Sequence, residues 1–441
     1  MKQIQLLFTI LTFSYMFSGC KKDKNEVQPV SVTFQVKFDD KTSGLGLSPA
    51  KAEVTITNQV NGQINKAVAD ESGVVKFNSI IPGNYSVVST LKIPAVDYSV
   101  ATGVMTTEDV VFNANMNAGI NNTSGTLELV MTAGRLGDWV IKQVYYGGSS
   151  ASDGAGIRDQ FFEIYNNSSE VMYADSLYFA LIIGVNNTTS DLSKPHFLPT
   201  GQFDWTKSIG MNNAKANTDY VYAKAIHRIP GTGKQYPIQP GGSIIIAQSA
   251  MNHKASFTSG GKQYTVKNPA LTIDLSKADF EGYFGNIPGI NPLATDLENA
   301  DVPNIEVIHL DDRDLILDTR GQEAIVIFKT KDDVTKFNKY PSPDVKAITT
   351  TTELFVQLPN SIITDAVEMA QTVATKRVPH RLPAALDAGF TFVPGGSFSS
   401  QSVIRKTSKI ANGRRILKDS NNSSEDFDYL PMADPTKSVF K

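Results

Sequence analysis

Five histidines, His196, His227, His253, His309 and His380, are the first side chains to weigh for metal or proton chemistry. A zinc site read from sequence needs two histidines at helical spacing or cysteine partners nearby. These five are scattered, none opens a His-Glu-x-x-His run, and the single cysteine, Cys20, lies far from all of them. No metal and no cofactor are therefore expected, and each histidine reads as a surface or structural residue. The densest acidic run, His309 to Asp314 with Asp318, could supply part of the oxygen shell of a calcium ion. It lacks the glycine and terminal glutamate of an EF-hand loop and sets Arg313 among the ligands, so a solvated turn is expected.

Phosphate and acyl chemistry fare no better. Gly147 to Gly156 is rich in glycine and serine, but a cradle needs a helix N-terminus behind it and a strand follows, which predicts a flexible loop. Gly260-Gly261-Lys262-Gln263 lacks the Ser or Thr that a P-loop sets after its lysine, and no G-x-S-x-G elbow occurs. The chain is thus expected not to be an enzyme. Its 44 acidic residues leave one alternative, a surface hydrolase of glycans or peptides using carboxylates from long insertions. The side chains best suited to a ligand surface are Trp205, Tyr220, Tyr222, Tyr236 and Tyr264, because exposed aromatic rings stack on sugars or flat ligands.

Cys20 has chemistry of another kind. Lys2, the apolar run Leu6 to Phe17 and the small pair Ser18-Gly19 make a secretory signal in the required order. The run is shorter than the roughly 20 apolar residues of a membrane-spanning helix, and no second run of that length follows. Phe17-Ser18-Gly19-Cys20 resembles the lipobox of bacterial lipoproteins, which implies cleavage after residue 19 and acylation of the Cys20 thiol. Residues 20–29 read as a tether, since Lys21 to Glu26 is charged and has nothing to bury. Its Lys-then-acid character resembles the signal that sends Bacteroidota lipoproteins to the cell surface.

Composition sets the class of the remainder. Of the 441 residues 41% are hydrophobic and 19% charged, at a net charge of -3 with no massed Lys or Arg, so nucleic acid is not an expected partner. With Cys20 lipidated no disulfide can form, and stability must come from packing. Short apolar runs punctuated by Gly, Asn, Ser and Thr predict a mainly β protein.

Residues 30–133 are expected to form a seven-stranded β-sandwich. Ser31 to Phe38 alternates, with Val32, Phe34, Val36 and Phe38 on one face, and Asn61-Gly62 marks a hairpin. Asp70 to Tyr85, with an acid-and-glycine turn and Pro82-Gly83 before an inward aromatic, resembles the carboxypeptidase-regulatory-like, transthyretin-like domain. That resemblance implies a stalk without chemistry. Gly134-Arg135-Leu136-Gly137 marks a joint, and residues 134–441 follow. Arg158 to Ser168, Gln239 to Ala247, Glu323 to Phe328 and Gln401 to Lys406 are similar to lamin-tail-like domains, which implies a larger immunoglobulin-like sandwich. Long insertions at 186–227, 249–305 and 329–388 are expected to decorate it.

The whole chain resembles uncharacterised Bacteroidota outer-membrane lipoproteins that carry a domain of unknown function. The residues behind this likeness are Arg158 to Ser168, Leu358 to Ser361 with Asp365 to Glu368, Arg381 to Pro383 with Leu386 to Gly389, and Gly413 to Ser423. It implies an accessory of TonB-dependent uptake with no assigned reaction; with the lipobox and the missing catalytic motifs, the expectation is a non-catalytic binding protein, lipid-anchored in the outer membrane and exposed on the cell surface, that serves a TonB-dependent transporter and takes a small-molecule or glycan ligand. An adhesin or structural surface protein is the further alternative.

Overall fold

The computed structural model describes residues 28–40, 42–103, 109–133, 138–187, 191, 193–310, 312–411 and 413–441. Cys20, the signal, most of the tether and the 134–137 joint lie outside these residues. The chain is mainly β, as expected.

Seven strands come first: β1 (Val30–Phe38), β2 (Glu53–Asn58), β3 (Ile64–Val68), β4 (Val74–Ile80), β5 (Gly83–Ile93), β6 (Val110–Ile120) and β7 (Thr126–Ala133). They run in the order β3-β2-β5-β6-β7-β1-β4, with β1 parallel to β7. Only Phe112↔Ala133 and Asn113↔Thr132 join β6 to β7, so the sheet folds there into two leaves. Between the leaves lie Phe34, Val36, Val54, Ile56, Val87 and Phe112, all buried, which is the face predicted by alternation in β1. The turn after β3 is built as its sequence requires. Asp70 accepts from the Ser72 and Val74 amides, both at 2.9 Å, and Gly73 takes φ 77° where a Cβ would lie 2.4 Å from the Val36 carbonyl oxygen. Tyr85 points inward and donates to the Ile81 carbonyl at 2.7 Å. A short helix α1 (Ala95–Thr102) links β5 to β6.

The second half holds two larger sheets. One runs Phe280–Glu281, Ser243–Ala247, Phe161–Asn166, Trp139–Tyr145, Ser402–Arg405, Phe427–Leu430. The other runs Lys339–Tyr340, Phe355–Pro359, Tyr220–Arg228, Tyr178–Ile182, Ala324–Phe328, Ile363–Glu368, with Glu306–His309 also paired to Tyr220–Arg228. They meet across a core that includes Trp139, Phe162, Phe179, Leu181, Ile246 and Ile327. One bridge crosses this core: Arg405 donates to Asp365 at 2.6 Å, and Asp365 accepts the Ile141 amide at 2.6 Å.

The insertions do not stand out as loops. Residues 249–302 cover the outer face of the first sheet through Ala250, Ile273, Leu275 and Val302, while Val334, Leu382 and Leu386 cover that of the second. They also supply strands: Tyr220–Arg228 is a central one, and Phe355–Pro359 and Ile363–Glu368 are sheet members. Lys224 and His227 interrupt the apolar pattern of Tyr220–Arg228, yet both are accommodated, Lys224 by Glu323 at 2.9 Å and His227 by stacking on Phe179 at 4.9 Å. The Gly147–Gly156 loop, expected to be flexible, is closed by a Ser149-to-Gly156 backbone hydrogen bond of 2.9 Å and by the Ala155 amide donating to the Ser149 hydroxyl at 2.8 Å.

Candidate functional site

The inner face of the first sandwich is apolar, and alternation therefore turns a polar set of residues outward on β2, β5 and β6. Register lines them up in three rungs: Glu53–Thr90–Asn113, Thr55–Val88–Asn115 and Thr57–Ser86–Asn117. The asparagines dock this sheet onto the second half. Asn113 donates to the Ser420 carbonyl at 2.7 Å, Asn115 to that of Ala388 at 3.4 Å, and Asn117 to that of Thr200 at 2.9 Å. The β2 and β5 rungs are left facing a cavity of about 650 Å³.

The opposite wall consists of residues 389–394 and 418–429, held together by one carboxylate. Asp387 accepts the Glu368 amide at 2.8 Å, the Gly389 amide at 3.1 Å, the Ser423 amide at 2.8 Å and the Ser423 hydroxyl. The two segments approach so closely that a Cβ at Gly389 would sit 2.1 Å from Asn422 Oδ1. Phe390, Phe392 and Tyr429, each half-buried, present ring surface to the cavity. Its charges are matched, with Lys66 on Glu53 and Lys92 on Asp109 at 2.8 Å, Lys418 on Glu425 at 3.6 Å and Lys441 on Asp428 at 3.7 Å.

Thr57, Ser86 and Phe390 also line a second cavity of about 400 Å³, which His380 shares with a third of about 330 Å³. All three have walls from both sandwiches, so they form one cleft along the joint. Arg377 lies between the rings of Phe390 and Phe392, at 4.7 and 4.8 Å, and donates to the Gln371 carbonyl at 2.9 Å. Burial opposes the charge on His380, but Glu368, 3.4 Å from Nδ1, outweighs it and raises the histidine above its ordinary value.

The five aromatic candidates divide. Trp205 and Tyr222 stack at 3.5 Å with 9° between their planes, and with Tyr220 they line the third cavity. Both stacked rings are buried, so they show edges rather than open faces. Tyr236 packs edge-on against Phe280 at 4.9 Å, and Tyr264 stacks on Phe257 at 5.0 Å beneath Arg158. Neither lines the cleft. The sequence reading missed Phe390, Phe392, Tyr429 and Arg377, which carry no motif. The spacing Asn113-x-Asn115-x-Asn117, polar at every second residue of an otherwise core-forming strand, was the available signal.

Elsewhere, a cavity of about 370 Å³ is lined by His227, Asp312, Asp314, Asp318, Lys224 and Arg320. Burial lowers His227 to about 3 and raises Asp314 to about 6, while Asp318 is tied to Arg320 at 2.6 Å. Asp311 lies outside the described residues, and among those described no three His, Cys, Asp or Glu side chains are placed to hold a metal ion. No described helix is long and apolar enough to cross a membrane.

The described residues thus define a mainly β protein with two sandwiches and a cleft between them. Residues 239–433 match the family described as a protein of unknown function, DUF4876. The crystal structure of a DUF4876 family protein from Bacteroides thetaiotaomicron VPI-5482 is similar over 91% of this chain and 95% of that one, at 23% identity and a TM-score of 0.51, a likeness of fold. Weaker similarity links the chain to a candidate adhesin from Bacteroides ovatus ATCC 8483, at 8% identity and a TM-score of 0.19 over 79% of this chain and 91% of that one. A DUF3823 family protein from Parabacteroides merdae ATCC 43184 gives 7% identity and a TM-score of 0.15 over 46% and 92%. A comparison with curated proteins returned no match.

Proposed function

We propose that this chain is a non-catalytic surface binding protein, anchored to the outer membrane through Cys20, that holds a glycan in the cleft between its sandwiches for a TonB-dependent transporter. The observation that carries the reading is the cleft's main cavity, about 650 Å³, with hydroxyl rungs on one wall and the rings of Phe390, Phe392 and Tyr429 on the other. Sugars present hydroxyl edges and apolar faces, and such a pair of walls matches both. Its matched charges suit a ligand body without net charge. The anchor and the transporter rest on the lipobox and on the resemblance to outer-membrane lipoproteins.

The test is an oligosaccharide array probed with the full chain and with Thr55→Trp. Thr55 faces the cavity from β2, so the indole fills the space without touching the core. Wild type should retain at least one oligosaccharide, and the variant should lose it at an unchanged melting temperature. Equal retention by both proteins would place the ligand elsewhere, and no retention by wild type would overturn the reading. For the anchor and partner, an outer-membrane barrel should copurify with the lipidated wild type and be lost with Cys20→Ser.

A further inference from the structure

The two main parts of the cleft differ in charge. Around the 650 Å³ part every lining lysine has a carboxylate partner, whereas among the described residues no carboxylate lines the 400 Å³ part, whose ionisable wall groups are Arg377 and His380. Arg377 is fixed in place by two aromatic rings and by backbone carbonyls of Gln371 and Thr372. A guanidinium held in this way is organised before any ligand arrives. His380 is buried, its Nδ1 side is turned to Glu368, and its Nε2 has no hydrogen-bond partner among the described residues. A buried ring nitrogen without a partner, in a cavity wall, leaves one hydrogen bond for a ligand to make. Asn84, Asn117 and Thr200 supply neutral polar groups around Arg377 and His380.

Resting on the glycan reading above, we infer that the Arg377–His380 end of the cleft seats an anionic substituent, so that the ligand is an acidic oligosaccharide bearing a carboxylate or a sulfate. The neutral body lies along the β2 and β5 rungs, and the anion accepts from the guanidinium and, when the ring is protonated, from His380 Nε2. Glu368, Asp387 and Arg381 are the other charged groups acting on His380, and the first two favour its protonated form. An anion at Nε2 favours it further, so affinity should rise as pH falls from 8 to 6.

The experiment measures binding to the full chain of oligogalacturonate and its methyl ester, of heparan oligosaccharides and their desulfated forms, and of neutral galactan oligomers. The expected result is a preference of at least about tenfold for one charged form over its own neutralised partner, strengthening at lower pH. Arg377→Met, which keeps the stack between the rings, should erase the preference, and Arg377→Lys should restore part of it. Separate arms for carboxylate and sulfate tell the two anions apart. Equal binding of charged and neutralised forms, or an Arg377→Met protein that folds and keeps the preference, would overturn the inference and leave the cleft reading standing. Thr55→Trp separates the two claims, since it should abolish binding of charged and neutral forms alike.

Discussion

Strand β5 alternates between buried and more exposed residues along most of its length, whereas Trp139–Tyr145 in the second sandwich is buried at every position. Both strands lie in sandwiches, and the difference comes from what covers the outer face. In the first sandwich the inner face is packed and the β6 asparagine row docks the second half, so it is the outward side chains of β2 and β5 that alternate into a cleft wall. In the second, segments from 249–302 and 334–386 cover both sheets from outside, and the strands read as apolar runs. Polar groups caught beneath such covers must find partners. Lys142, fully buried, pairs with Glu163 at 3.0 Å and donates to the Lys437 carbonyl at 2.8 Å, with the Phe440 ring 3.9 Å away.

The comparison is broken most directly at the ion pairs. Arg405→Met should cost about 3–5 kcal/mol, because it leaves Asp365 buried without its cation. Lys66→Met on the first sandwich removes a half-exposed partner of Glu53 and should cost less than about 1 kcal/mol. Urea midpoints would compare the two, and similar costs would refute the contrast. The interface comes next. Asn113→Ala removes a buried donor from the Ser420 carbonyl and should cost about 1–3 kcal/mol in the same assay. A neutral outcome would mean that the asparagine row does not hold the sandwiches together.

A titration sharpens the comparison further. Asp109, beside the first sandwich, is held below its ordinary value by Lys92, whereas burial raises Asp296 of the second to about 7, helped by Asp314. A carboxyl raised in the folded state favours folding fully below about pH 4, and that contribution is lost as pH rises through about 7. Asparagine mimics the protonated acid and does not titrate. The stability of Asp296→Asn relative to wild type should therefore climb between pH 4 and pH 7, by at most about 1.4 kcal/mol per pH unit, and then level off. A gap that stays constant across this range would show that Asp296 titrates normally.

Much of this fold can be read without coordinates. Alternation in Val32, Phe34, Val36 and Phe38 gives the inner face of β1, and Asn61-Gly62 gives a hairpin whose glycine has φ 73°. Runs such as Ser243–Ala247 and Ala324–Phe328 announce buried strands by their apolar continuity. Tyr220–Arg228 was harder, because its lysine and histidine resemble loop residues until Glu323 and Phe179 appear beside them. The cleft left little trace in the sequence beyond the polar spacing Asn113-x-Asn115-x-Asn117. Thr55 and Phe390 come together only when two independently packed sandwiches dock, and neither residue type signals chemistry by itself. Three of the five aromatic candidates, Trp205, Tyr220 and Tyr222, do reach the cleft's third cavity, though as a packed cluster and not as an open platform.

The central claim is that ligand sits between the sandwiches. Amide hydrogen exchange of the full chain, with and without an oligosaccharide retained on the array, tests it most directly. Added protection should fall on β2, β5 and residues 389–394, with none on the Phe257–Ser259 and Lys262–Tyr264 hairpin that carries Tyr264. Protection confined to that hairpin, or to any surface away from β2 and β5, would contradict the account.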